Sequence, residues 1–251
     1  MPPAYYFLID PPLAGPWNMA VDEALLDDAA QSGRAYWRFY QWQVATVSLG
    51  YFQAYDEQAR RYRERGLPMV RRLTGGGAIL HDRELTYSVI LPRDHPLARS
   101  RDDLYGVVHR SVVAVLSRWG LEPQLFVAGT GRPVREPFLC FERRAPGDVL
   151  AGRSKLAGSA QRRRRGAVLQ HGSVLLAASD AARHLPGVGE LADCTVDADE
   201  LARRWLDELS KRLGGAWQPF RLPDSIRDRA ADLLTGKYLT ESWLRGRRVP
   251  A

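Results

Sequence analysis

Residues 71–82, RRLTGGGAILHD, set three successive glycines, Gly75, Gly76 and Gly77, between two apolar runs. Glycine triplets let a backbone approach a ligand closely or adopt positive φ. Arg71 and Arg72 stand before the triplet, and His81 and Asp82 follow it. Exposed N–H groups beside two arginines suit a carbonyl, a carboxylate or a phosphate. The same triplet also suits a flexible hairpin turn with no ligand. The stretch is not a GxxxxGK[ST] phosphate loop, and no GxGxxG follows a strand anywhere in the chain.

Outward from this turn, residues 69–73 and 84–91 read as its flanking strands. Upstream, 5–10, 36–42 and 45–49 are further strand-like runs. NMAVDEALLDDAAQ, after Gly15–Pro16, is rich in helix formers, with Leu25 and Leu26 on an apolar face. Residues 57–65 read as a polar helix closed by Gly66. Residues 100–120 give the clearest helix: Ser100 caps it, Leu104, Val108, Val112, Val115 and Trp119 form its stripe, and Gly120 ends it. A strand at 121–127 leads into 129–137, GTGRPVREP, which has no period and reads as a mobile loop. Three strand-like runs follow at 147–151, 154–162 and 167–176. The tail from 198 reads as helical, around Leu201, Trp205, Leu209 and Leu233. Strands mixed with separated helices predict an α+β fold, a mixed sheet flanked by helices. One domain over 1–251 is expected, with 198–251 a helical C-terminal extension.

Further constellations carry candidate chemistry. In GRSKLAGSAQRR, residues 152–163, Lys155 opens a run of small residues, Gly158, Ser159 and Ala160 among them. A lysine at the mouth of such a slot can polarise an acyl carbonyl or stabilise an oxyanion, or it can be a solvated edge-strand lysine. His171, in LQHGSVLL, is either structural or catalytic. Cys140, between Leu139 and Phe141, is either an inert buried thiol or, with an ammonium nearby, a nucleophile. Cys194 has acidic neighbours and reads as structural. Residues 162–165, all arginine, could dock an acidic partner or form a solvated hairpin tip.

Composition bounds the classes. The chain has 251 residues, 45% of them hydrophobic, enough for a real core. No apolar run reaches the ~20 residues that cross a bilayer, and the N-terminus lacks the pattern of a signal peptide. With only two cysteines, a reducing cytoplasmic setting is expected. The formal charge of +7 invites an acidic partner. Lysine occurs only at 155, 211 and 237, so a persisting lysine hints at work that arginine cannot do.

Taken in series, these motifs resemble the lipoate–protein ligase and octanoyltransferase family. RRLTGGGAILHD resembles its glycine signature, and GRSKLAGSAQRR followed by LQHGSVLL resembles its lysine motif. PWNMAVDEALL, VATVSLGYFQ and the C-terminal KYLTESW are similar to its opening and closing segments. The resemblance implies a biotin/lipoate protein ligase-like (class II synthetase-like) catalytic domain with a mostly antiparallel sheet. It implies an apolar acyl slot beside the TGGG turn, lined by Arg71, Arg72, Gly75, Gly76, Gly77, His81, Gly158, Ser159, Ala160 and His171. Lys155 matches the family's lysine at the acyl carbonyl, and Cys140 falls where one octanoyltransferase branch carries its nucleophile. Residues 142–147 match that branch only at the proline.

The implied reaction moves octanoate from acyl carrier protein, through a Cys140 thioester, to a lysine of a lipoyl domain or of glycine-cleavage H protein. No cofactor and no metal are expected on that route. The nearest alternative, an ATP-dependent lipoate–protein ligase, would need ATP and Mg and leave Cys140 a bystander. An octanoyl amidotransferase between carrier domains would use the same cysteine. Biotin ligation lacks its GRGRxGxxW-type loop. A nucleic-acid-binding module is disfavoured, because the arginines are spread along the chain and no RNP-like or zinc pattern occurs. A non-catalytic scaffold for a lipoyl domain would bind without turnover. Neither nucleic acid nor membrane is an expected partner.

Overall fold

The computed structural model describes residues 3–127 and 137–249. The loop expected at 129–137 therefore lies, apart from Pro137, outside the described residues. In chain order the strands are β1 (Ala4–Ile9), β2 (Ala35–Tyr40), β3 (Thr46–Leu49), β4 (Met69–Arg71), β5 (Ile79–His81), β6 (Glu84–Pro92), β7 (Pro123–Leu125), β8 (Val149–Ala151), β9 (Ser154–Arg164), β10 (Ala167–Leu175) and β11 (Ala216–Pro219). The helices are α1 (Gly15–Ser32), α2 (Glu57–Glu64), α3 (Arg101–Leu116), α4 (Val188–Ala192), α5 (Ala198–Leu213), α6 (Asp224–Leu233) and α7 (Glu241–Gly246).

Eight strands form one mixed sheet in the order β11-β1-β2-β6-β10-β9-β8-β7. Only the β1–β11 and β1–β2 pairs are parallel, so the sheet is mostly antiparallel. β6 and β10 lie at its centre and every residue of both is buried, which requires cover on both faces. The period of two divides the side chains. Trp37, Phe39, Tyr87, Val89 and Leu91 join Leu104, Val108, Val112 and Val115 of α3 and Trp205 of α5 on one face. Tyr36, Tyr40, Ile90 and Leu169 join Leu25 and Leu26 of α1 and Ile226 and Leu233 of α6 on the other. The α1 face of the central strands also carries a row of polar side chains: Arg38, Glu84, Thr86, Ser88, His171 and Ser173, all buried.

A second sheet, β4-β3-β5, carries the glycine turn between β4 and β5. Gly76 sits at φ +89, and a Cβ on Gly50 would fall 1.9 Å from the Gly76 carbonyl oxygen, so two backbones touch here. α3 follows the sequence closely: Ser100 accepts from the Asp103 N–H, and Gly120 closes the last turn at φ +75. Trp119 is only partly buried.

Several expectations are corrected. The strand expected at 121–127 is confined to β7. The run after the glycine turn begins with a separate strand, β5. The tail from 198 is not wholly helical. β11 pairs with β1 at the edge of the main sheet, where Trp217 stacks on Tyr5 at 4.6 Å between ring centroids. No helix among the described residues is long and apolar enough to cross a membrane.

Candidate active site

Cys140 is placed by backbone pairing. It opens a short 3-10 turn, Cys140–Glu142, beside the end of the glycine motif. The Ala78 N–H donates to the Phe138 carbonyl at 3.0 Å, and the Cys140 N–H donates to the Ala78 carbonyl at 2.7 Å. Phe138, Leu139 and Phe141 are buried around it, while Cys140 itself is partly accessible. The glycine turn and the thiol are thus locked in register although they are far apart in sequence.

Lys155 arrives from the start of β9. Its Nζ lies 3.7 Å from Cys140 Sγ and donates to the Cys140 carbonyl oxygen at 3.3 Å. It also pairs with Asp148 Oδ2 at 2.8 Å, with only 3% of the lysine side chain exposed. The Phe141 ring lies beneath it, 5.4 Å from ammonium to centroid. Gly158 makes room for this arrangement. A Cβ there would come 2.6 Å from Lys155 Cε and 2.8 Å from its Nζ. The missing side chain in GRSKLAGSAQ is the space the lysine stem fills.

Arg72 is also near the thiol. Burial lowers its guanidinium to about 10, opposed by a favourable influence from Cys140 and reinforced by the neighbouring Arg143. Arg72 donates to the Ser48, Gly75 and Gly77 carbonyls, which holds the glycine turn folded. The Arg143 guanidinium packs against Gly77, where a Cβ would be 1.9 Å from Nη2.

The remaining expected site residues stand in other networks. Arg71 donates to the carbonyls of Gly50, Tyr51, Gln53 and Leu244, tying α7 to the loop after β3. His81 stacks on Trp42 at 3.8 Å and lies between Ser48 Oγ, at 2.7 Å, and Glu84. Burial lowers its pKa, with Glu84 opposing. His171 joins Thr74 of the glycine motif to Asp22 of α1, at 3.3 Å from the carboxylate. Asp22 also receives Arg38, Tyr40 and Ser88. Burial pushes the Asp22 carboxyl up, but His171 and Arg38 outweigh it, and the net shift is downward. His171 reaches the glycine motif through Thr74, and His81 is tied to β3 through Ser48. Ala160 pairs across from His171 in the β9–β10 ladder. Ser159 turns to the opposite face, where its Oγ meets His109 Nε2 at 2.7 Å. The His109 Nδ1 faces the Gly147 carbonyl, which can only accept, so Nδ1 carries the proton and Ser159 donates. A cavity of about 540 Å³, lined by Tyr105, His109, Leu125, Pro146, Asp148 and Ser159, shares Asp148 with the Cys140–Lys155 pair.

Residues 162–165 are largely committed to their own chain. Arg164 pairs with buried Glu23, Arg163 donates to the Ala98 carbonyl, and Arg162 stacks on Tyr51 at 4.5 Å. Arg165 meets Asp27 only at 3.8 Å. Of the four, Arg164 is paired closely with a buried carboxylate, while Arg163 and Arg165 remain exposed. The rarity of lysine proves informative: Lys155 and Lys237 are both buried, each against a carboxylate, while Lys211 is an exposed helix pair. Cys194 is exposed after α4. No cluster of metal-ligating side chains occurs among the described residues.

Asp148 belongs to no motif that sequence reading singles out. Its only signal is a lone carboxylate in an otherwise apolar and glycine context, PGDVLAG.

The model of the lipoyl protein ligase A/B catalytic domain matches residues 15–192. An octanoyltransferase LipM of Lysinibacillus sphaericus is 32% identical, across 95% of this chain and 98% of its own length. An octanoyltransferase LipM of Moorella thermoacetica is 40% identical, across 70% of this chain and 67% of its own. Among solved structures, a bipartite lipoate protein ligase from Thermoplasma acidophilum, studied with its E2 lipoyl domain, superposes with a TM-score of 0.73 at 22% identity, covering 100% of this chain and 99% of that one.

Proposed function

The chain belongs to the lipoyl protein ligase A/B catalytic domain family, and within it we propose that it is an octanoyltransferase working through a thioester on Cys140. One observation carries the cysteine route: the Lys155 ammonium, its side chain only 3% exposed, stands 3.7 Å from Cys140 Sγ. A thiolate is the nucleophilic form of cysteine, and an adjacent cation favours it. Full-length similarity to octanoyltransferases supports octanoyl as the group transferred.

The donor is an octanoyl thioester of acyl carrier protein. Cys140 attacks its carbonyl carbon and the carrier thiolate leaves. The Lys155 ammonium opposes the charge that develops on the carbonyl oxygen, which is the task such fixed donors perform best. The acceptor is a lysine amine of a lipoyl domain or of glycine-cleavage H protein. The amine attacks the acyl-enzyme, an amide forms, and Cys140 is released. Thioester exchange is nearly balanced and thioester to amide runs downhill, so neither ATP nor a metal is needed. The lipoyl-domain acceptor is supported by the Thermoplasma ligase, which acts in a lipoylation system with its E2 lipoyl domain.

The test is octanoylation of a purified lipoyl domain, followed by mass. Modification with octanoyl acyl carrier protein alone is the expected result. Modification only with free octanoate and ATP would overturn it in favour of a ligase.

A further inference from the structure

Lys155, whose Nζ lies 3.7 Å from Cys140 Sγ, is itself held by a carboxylate outside every motif. Lys155 Nζ is 2.8 Å from Asp148 Oδ2, with 3% and 7% of the two side chains exposed. A buried charge without a partner is costly, and each of these two is the other's partner. Asp148 is itself rigidly presented. Its Oδ2 accepts the Ala145 N–H at 2.7 Å, its own N–H donates to the Ala145 carbonyl at 3.0 Å, and its carbonyl accepts the Phe126 N–H at 2.8 Å. The preceding carbonyl, of Gly147, is held by His109 from α3.

We propose that Asp148 is a positioning residue of the acyl-transfer site: its carboxylate holds Lys155 as a fixed ammonium beside Cys140, so that the lysine is the charge partner of the thiolate and of the oxyanion, and not the base that removes the thiol proton. This rests on the Cys140 thioester reading. The Cys140 thiol gives its proton to solvent. In the first half-reaction the Cys140 S–C bond forms and the donor's C–S bond breaks, its electron pair leaving on the donor thiolate. In the second half-reaction the amine N–C bond forms and the Cys140 S–C bond breaks, its electron pair returning to sulfur. The amine proton passes to that sulfur or to solvent. Lys155 keeps its proton throughout.

The other ionisable groups around the pair fit this division. Arg72, after β4, adds positive charge near the thiol, and Arg143, after the Cys140–Glu142 turn, lies near Arg72. From α3, burial lowers the His109 pKa, and burial pushes Tyr105 up to about 12. Both are therefore neutral at neutral pH, and Asp148 is the anion that touches Lys155.

The experiment measures alkylation of Cys140 by iodoacetamide at neutral pH, counted by mass in the full chain carrying Cys194→Ser to silence the exposed thiol. Four proteins are compared: the parent, Asp148→Asn, Lys155→Met and the double variant. Asparagine retains an oxygen for the Ala145 N–H while losing the charge. Each single change is expected to slow alkylation about tenfold, and the double no further, because charge and anchor act as one unit. Asp148→Asn should also lower kcat for octanoyl transfer while leaving the donor KM within about twofold. Asp148→Glu, which restores the charge, should recover part of the alkylation rate, whereas a mere fault in the turn would not be repaired by it. Unchanged or faster alkylation in Asp148→Asn, or effects that multiply in the double variant, would overturn the proposal. Alkylation uses no acyl donor, so a failure of the octanoyltransferase reading would show separately, as a parent protein that alkylates normally and transfers nothing.

Discussion

Gly158→Ala adds one methyl group and reaches the heart of the site. Its backbone is ordinary for any residue, so the change acts through space alone. The new Cβ would stand 2.6 Å from Lys155 Cε, 2.8 Å from Nζ and 3.0 Å from Asp148 Oδ1. Carbon atoms rest at roughly 3.5–4.0 Å, so the lysine stem must retreat by about 1 Å. It cannot retreat freely, because the side chain is 3% exposed and sits on the Phe141 ring. The ammonium must then leave Cys140 Sγ or Asp148, or the strand must shift. A displacement of that size costs on the order of 10²-fold in rate, while overpacking costs only about 1–3 kcal/mol of stability. The assay is single-turnover acylation by an octanoyl thioester, with thermal melting to confirm the fold. Acylation at the parent rate in a folded Gly158→Ala protein would refute the idea that Gly158 exists to seat Lys155.

Lys155→Arg should lose most transfer activity, since a planar guanidinium cannot occupy the slot over Gly158; normal turnover would rule out a positional role for the ammonium. Arg71→Ala should behave differently. It strips partners from the Gly50, Gln53 and Leu244 carbonyls and should cost about 2–4 kcal/mol of stability, read from denaturant midpoints, while Cys140 alkylation in the folded protein is little changed. Stability should also fall as pH drops below about 6.5, the ordinary histidine value. The folded-state pKa values of His81 and His109 are depressed by burial, so between the folded and unfolded values the unfolded chain binds more protons. Their contribution is complete above the unfolded value and is lost as pH falls through the folded one. Replacing His81 by Gln should flatten that part of the melting-temperature profile, and an unaltered slope would contradict it.

Much of the fold is legible in the sequence where local chemistry decides it. α3 announces its start with Ser100, Gly120 closes the 3-10 turn that follows it, and its stripe at 104, 108, 112 and 115 is buried as the spacing requires. β11 is not legible, because a four-residue edge strand with mostly exposed side chains carries no alternation to detect. The site divides in the same way. Cys140 and Lys155 stand out because a flanked thiol and a rare lysine are unusual in themselves. Asp148 is silent, since its role arises only when β8 folds against β9. Arg71, Arg72, His81 and His171 do cluster around the glycine turn, and each is engaged there with other groups of the chain. Sequence places such groups near a site without naming the partners they hold. Residues 162–165 show the converse, a charge run that looks available and is tied largely to Glu23, Ala98 and Tyr51.

The most direct test of the central claim is the intact mass of the protein after mixing with octanoyl acyl carrier protein in the absence of ATP. The account predicts a gain of one octanoyl group, absent in Cys140→Ser and discharged when a lipoyl domain is added. No adduct, or an adduct that persists in Cys140→Ser, would contradict it.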